Sequence, residues 1–437
     1  MKVRSAASVA ARLNFAGVNF FAFSLLPLVA GCGGSDQNGT VQTGGAAAQA
    51  GDGAGGSAGS AAASGGASGG TPEGGTAGTN ATTGGSAGGG VAAVISGGVR
   101  WMGRVDLSDP AAPRFAWSGT GLVATVTGST ISVNVRSDGG AEPIYFQPVI
   151  DGSAGTRLSV AAAEGVKKLT LGSGLADGDH VLELYRETEG KAGFAYTTFL
   201  GFVDGALKDP PAYGGRLIEI VGDSISAGYG DLGSEQHPNY GPDPSGGCMF
   251  STQTESAYVT YGAVAARAVG ADASIVAASG WGIYSDNGGS LSNVLPGIYP
   301  NTVGGQAQPA WPFTLRPQAV IINLGTNDFS ANMSLGSDAF TAAYQGFLTT
   351  VRGKYPDAWI YCAIGPLLYS TGLANATQYI KALVATVNGN GDTKVKVLDL
   401  GSQNTTLGTG CAYHPNVTEH ARMAGILSTE LKATLSW

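Results

Sequence analysis

The chain has 437 residues, a formal net charge of −8 and only 12% charged side chains, and it carries no cluster of lysine and arginine of the kind a nucleic acid would need. Glycine is the outlier at 72 residues, which points to a low-complexity segment beside turn-rich folded parts. The length suits two domains and an appendage.

The appendage comes first. Met1-Lys-Val-Arg4 with Arg12, followed by an apolar run from Phe15 to Ala30, has the charged start and greasy middle of an export signal. The run ends in Leu28-Val-Ala-Gly-Cys32, which resembles a bacterial lipobox and makes Cys32 the expected site of lipidation. Asn14, Asn19 and the glycines argue against a spanning helix, so contact with a membrane is expected only through the lipid. Residues 33–93 follow as a Gly/Ala/Ser-rich tether in which Asp36, Asp52 and Glu73 are the only charges. Such a composition cannot bury enough apolar surface to offset chain entropy, and its average reach would be about 40–45 Å.

Residues 94–207 carry short alternating runs such as Leu122–Thr127, Thr130–Arg136, Ile144–Asp151 and His180–Arg186, separated by Gly, Ser and Asp turns. This spacing predicts a β-sandwich. Trp101, Trp117 and Tyr145 read as core aromatics rather than a sugar-binding face. Beyond Asp209-Pro-Pro-Ala212 the pattern changes. Residues 212–437 alternate strands, at 217–221, 273–277, 319–324, 358–364 and 395–400, with helices at 255–269, 338–355, 373–388 and 417–434. Phe340, Tyr344, Phe347, Leu348 and Val351 mark one face of the second helix. Five parallel strands separated by helices make a doubly wound α/β sheet.

Three of those strands end in chemistry. Leu217–Val221 runs into Gly222-Asp223-Ser224, Ala319–Leu324 into Gly325-Thr326-Asn327-Asp328, and the run from Ser274 into Ser279-Gly-Trp-Gly282. Just before the last helix stands Cys411-Ala-Tyr-His-Pro-Asn416. A serine between strand and helix sits where open α/β sheets bind ligands and where helix N–H groups stabilise negative charge. Taken alone, Asp223 and Ser224 read equally well as a helix cap.

Gly-Asp-Ser, a glycine block, Gly-Thr-Asn-Asp and His-Pro in that order resemble the SGNH or GDSL hydrolase superfamily, and within it the two-domain acetyl esterases of carbohydrate esterase family 2. The resemblance implies a flavodoxin-like catalytic sheet behind a jelly-roll module. It also implies Ser224 as nucleophile, His414 as base, and an oxyanion hole from the Ser224 N–H, the Gly282 N–H and the Asn327 side chain; Gly280 is an alternative to Gly282. Where the superfamily usually places an orienting aspartate, three residues before the histidine, this chain has Cys411. A Ser-His dyad with a backbone carbonyl in that task is the arrangement implied for family 2. His420 is expected to face solvent or cap a helix.

Trp281, Tyr284, Trp311 and Tyr413 lie in or near the same loops, and Trp281 and Tyr413 are the candidates for stacking on a sugar. Of Cys248, Cys362 and Cys411, Cys362 sits mid-strand, which leaves Cys248 with Cys411 as the expected disulfide; Cys362–Cys411 or three free thiols are the alternatives. No Cys/His spacing calls for a metal, and no cofactor is implied. The expectation is therefore an exported, monomeric serine esterase that removes acetyl groups from acetylxylan or acetylated glucomannan. A lipase or aryl-esterase, and a surface carbohydrate-binding protein with a dead site, are the competing readings.

Overall fold

A computed structural model describes residues 94–190, 195–233, 248 and 251–437, all within one compact unit spanning Ala77–Trp437. The leader, the tether and the expected anchor Cys32 lie outside the described residues.

The carboxyl-terminal half is built on five parallel strands. Their spatial order is Asp272–Ala277, Leu217–Gly222, Ala319–Asn323, Trp359–Ile364, Val395–Asp399. The three inner strands are buried on both sides because helices cover both faces. Leu217, Val221, Val320, Ile322, Ile360 and Cys362 point into one core, with Phe340, Tyr344, Phe347 and Val351 of helix Ser337–Lys354 and Ile380 and Leu383 of helix Ser370–Gly389. The alternate residues Ile218, Ile220, Ile321, Tyr361 and Ala363 face the other core, with Tyr261 and Ala265 of helix Tyr261–Ala268 and Met423, Leu427 and Leu431 of helix Val417–Leu435.

The sequence predicts the first helix too early. It begins at Tyr261, and the preceding residues make two single turns of 3₁₀-helix at Thr252–Thr254 and Ala257–Val259. Glu187 of the β module explains this: it accepts from the Ser256 hydroxyl while its carbonyl takes the Ala257 N–H at 3.0 Å, holding that stretch out of a helix. The hairpin Asn301–Val303/Gln306–Ala310 and the short helices Leu295–Ile298 and Thr326–Ala331 are also absent from the sequence reading.

The amino-terminal module is antiparallel throughout and centred on one long strand, Gly121–Asp138. Its first part pairs with Asp179–Arg186, its later part with Val166–Ser173, and Tyr196–Lys208 follows it along both. The change of partner falls around Gly128, whose φ of +136° is open to glycine alone among common residues. Leu122, Ala124, Val126, Ile131, Val133 and Val135 fill the module's core with Trp101 and Phe115. Trp117 does not join them; it belongs to the core of the α/β half and donates to the Asn301 carbonyl at 3.3 Å. The two halves also share ion pairs. Arg100 meets Asp272, and Arg104, fully buried, meets Glu219 in the middle of the Leu217–Gly222 strand at 3.3 Å.

Candidate active site

In the parallel sheet Gly222 lies level with Ala277 on one side and Asn323 on the other. That register brings the three loops beginning at Asp223, Ala278 and Leu324 to one edge, the carboxyl edge on which such folds bind ligands. Ser224 opens the one-turn helix Ser224–Ala227, and the Asp223 carboxylate caps it by accepting the Ile225 N–H at 3.0 Å. The capping reading of Asp223 and the site reading of Ser224 thus coexist. Burial pushes the Asp223 carboxyl up to about 7.

His414 comes from the far end of the chain. Its Nε2 lies 2.8 Å from the Ser224 hydroxyl, and its Nδ1 lies 3.0 Å from the Ala412 carbonyl. Nδ1 is therefore the protonated nitrogen, because a carbonyl can only accept, and Nε2 is left to take a proton from the serine. The carbonyl reaches the ring through an uncommon backbone: Ala412 and Tyr413 have φ of +50° and +60°, a left-handed pair without a glycine. Cys411 occupies the place of the usual aspartate and contributes a covalent tie instead. It is bonded to Cys248, with the two Cα atoms 4.6 Å apart, while Cys362 is a buried free thiol. Backbone bonds complete the clamp: Cys411 N–H to Gly230 C=O at 2.9 Å, Ala412 N–H to Cys248 C=O at 3.0 Å, and Gly410 N–H to His414 C=O at 2.7 Å. Gly230 has to be glycine here, since a Cβ would stand 2.8 Å from the Cys411 Cβ.

Burial lowers the His414 ring to about 4, against the opposing effect of its backbone hydrogen bonds to Ala412 and Cys411. With no carboxylate beside it, nothing charged compensates the desolvation of an imidazolium. The ring is thus neutral at ordinary pH. Tyr229 packs on it at 4.3 Å between ring centroids, a contact the sequence reading missed although Gly228-Tyr-Gly230 stands just beyond the serine motif.

Asn327 and Gly282 meet across the edge. The Asn327 amide donates to the Trp281 carbonyl at 3.1 Å, which uses one of its two hydrogens. Asp328 accepts the N–H groups of Ile283, Tyr284 and Ser285 at 3.1, 2.7 and 2.9 Å, and so fixes the loop that contains Gly282. A Cβ on Gly282 would collide with that carboxylate.

Two aromatic expectations change. Trp281 is 8% exposed and packed in the apolar core, so its ring offers no open face to a sugar; its carbonyl is what reaches the site. Trp311 lies at the module boundary, with the Arg104 guanidinium 5.6 Å from its ring centre. Tyr413, next to the histidine, is 52% exposed. His420 does not face solvent: it is buried, and its Nδ1 accepts the N–H of Tyr261, the first residue of a neighbouring helix, at 3.1 Å.

Comparison with known proteins follows the same two halves. Residues 101–211 match the carbohydrate esterase 2 N-terminal family model, and residues 220–422 match that of the GDSL-like lipase/acylhydrolase family. The solved structure of a family two carbohydrate esterase from Clostridium thermocellum, in complex with cellohexaose, is 35% identical, with a TM-score of 0.71 over 78% of this chain and 99% of that one. This chain belongs to carbohydrate esterase family 2. Its similarity extends to a cellulase/esterase, CelE, of Acetivibrio thermocellus, at 35% identity over 341 residues. That match covers 78% of this chain and 40% of CelE, so the chain spans well under half of that relative. An acetylxylan esterase/glucomannan deacetylase of Cellvibrio japonicus is 25% identical over 78% of this chain and 89% of its own length.

Proposed function

We propose that this family 2 member is an exported, lipid-anchored serine esterase that removes O-acetyl groups from plant cell-wall polysaccharide such as acetylxylan or acetylated glucomannan. The observation that carries the reading is the relay from Ser224 through His414 to the Ala412 carbonyl, with separations of 2.8 and 3.0 Å. The Ser224 oxygen attacks the acetyl carbonyl as its proton passes to His414 Nε2. Negative charge on the former carbonyl oxygen is met by the Ser224 and Gly282 N–H groups and by the Asn327 amide hydrogen not used on Trp281. Collapse breaks the bond to the sugar oxygen, which leaves with the proton from His414. Water then attacks the acetyl-serine, giving its proton to His414; acetate departs and Ser224 recovers its hydrogen. Asp223 and Asp328 hold loops and take no proton in this scheme.

The choice of substrate rests on the relatives' names and on Tyr413, whose exposed ring beside the base suits the face of a sugar. Acetate release from acetylated xylan and glucomannan tests it. Ser224→Ala and His414→Ala should each lower kcat/KM by roughly three orders of magnitude or more with an unchanged circular dichroism spectrum. Near-normal turnover in either variant would remove the dyad. Export and anchoring are tested separately, since Cys32→Ser should shift the protein from the membrane fraction to the soluble one.

A further inference from the structure

The β module supplies no member of the dyad or the oxyanion hole, yet one of its side chains ends against the oxyanion loop. Glu189, 4% exposed, accepts the backbone N–H of Ser279 through Oε2 at 2.8 Å. Ser279 opens the Ser279-Gly-Trp-Gly282 segment, directly after the strand Asp272–Ala277 and Ala278. The segment is held by Glu189 at its start, by Asn327 on the Trp281 carbonyl, by Asp328 just past Gly282, and by the Asn287 and Leu295 N–H groups on the Gly280 and Gly282 carbonyls at 2.9 Å each. Only the first of these comes from outside the α/β half.

The turn that carries Glu189 is itself held firmly. Arg186, fully buried, donates to the carbonyls of Thr188 at 2.9 Å, Glu189 at 3.2 Å and Ala195 at 3.1 Å, and to the Thr197 hydroxyl at 2.7 Å. Gly190 packs so closely that a Cβ would lie 2.7 Å from that of Ala116. A rigid acceptor on one module therefore meets a loop N–H on the other.

We propose that Glu189 is a positioning residue for ester hydrolysis, through which the β module sets the geometry of the oxyanion donors. The proposal rests on the esterase reading above. An oxyanion hole works by having its donors already aimed at the place where charge develops, so a loop that slackens by a fraction of an ångström loses transition-state stabilisation more than substrate binding.

The test uses the full chain. Glu189→Met keeps the volume and removes the acceptor; Glu189→Gln keeps an amide oxygen in reach of the Ser279 N–H. On an acetyl ester, E189M should lose about tenfold or more in kcat with KM changed by less than about threefold, while E189Q should retain at least about a third of wild-type kcat. Amide hydrogen exchange gives a readout that needs no turnover: in E189M, protection should fall across residues 279–285 and stay unchanged in the central strands. Wild-type kcat together with unchanged exchange in E189M would overturn the proposal. If the wild-type protein hydrolyses no acetyl ester, the esterase reading fails and exchange alone still decides the role of Glu189. If E189M does not fold, the wild-type Ser279 amide decides it, because exchange at the rate of an open loop contradicts a buried bond to Glu189.

Discussion

At the scale of single residues the decisive substitution is the one at position 411, where a cysteine stands in place of the orienting carboxylate. A carboxylate beside His414 would favour the imidazolium; a carbonyl fixes the tautomer without adding a full charge. The folded ring is depressed to about 4 from an ordinary value near 6.5, which keeps the base form available in mildly acidic solution. The acid limb of kcat/KM should accordingly fall well below pH 6.5, flat down to about pH 5 in a profile measured on a soluble acetyl ester. An inflection at 6.5 or above would mean that the ring is solvated or paired with an anion. The same shift has a consequence for stability. The unfolded state binds more protons between the two values, so the contribution of His414 is present above about 6.5 and is lost as pH falls through about 4.

At the scale of elements, the loop from Gly410 to Asn416 has no regular partner of its own and includes a left-handed pair at Ala412 and Tyr413. Its order comes from the Cys248–Cys411 bridge and from the backbone bonds to Gly230 and Cys248. The bridge closes a separation of 163 residues, which corresponds to about 5 kcal/mol in the chain-entropy model before native strain is subtracted. Cys248→Ser should therefore lower the melting temperature and, on the proposed mechanism, also cut kcat severalfold, because His414 loses positional order while Ser224, Gly282 and Asn327 remain in place. Thermal melts and acetate-release kinetics check both halves of this expectation; unchanged kcat with the bridge gone would show that the backbone bonds suffice.

At the scale of the whole molecule, the β module and the α/β half meet through charged and aromatic groups taken out of water. Glu219, in the middle of the Leu217–Gly222 strand, receives Arg104 at 3.3 Å, the Tyr299 hydroxyl at 2.6 Å and the Tyr355 hydroxyl at 3.1 Å. Arg104 also stands 4.7 Å from the centre of the Tyr299 ring. Removing one partner of a buried pair leaves the other uncompensated, so Arg104→Met should cost about 3–5 kcal/mol. The loss should appear as one cooperative unfolding transition at lower temperature, since the same contact holds both halves. Two separated transitions in a calorimetric scan of the wild-type protein would contradict that coupling.

Much of this protein is written locally. Five apolar runs ending in Gly, Ser or Asn determine the parallel sheet and the edge where chemistry can occur, because strand length, period and turn residues are properties of neighbours in sequence. Ser224 and His414 are legible as residue types in motifs, and among Cys248, Cys362 and Cys411 the mid-strand position of Cys362 already sets it apart. What the local pattern leaves open depends on backbone conformation and on groups far apart in sequence. The backbone of Ala412 and Tyr413 decides which carbonyl faces the imidazole, and burial decides that Trp281 is core while Tyr413 is surface. His420 reads as a helix-face residue, and only the packing of Tyr261–Ala268 against the last helix makes it a buried acceptor. Nothing local marks Glu187, Glu189 and Arg104, and only the docking of the β module on the α/β half brings them to Ser256, the Ser279 N–H and Glu219. The physical reason is the same for these long-range contacts: a hydrogen bond or a buried charge is defined by what surrounds it in space, and the chain brings those groups together from 69 to 159 residues apart.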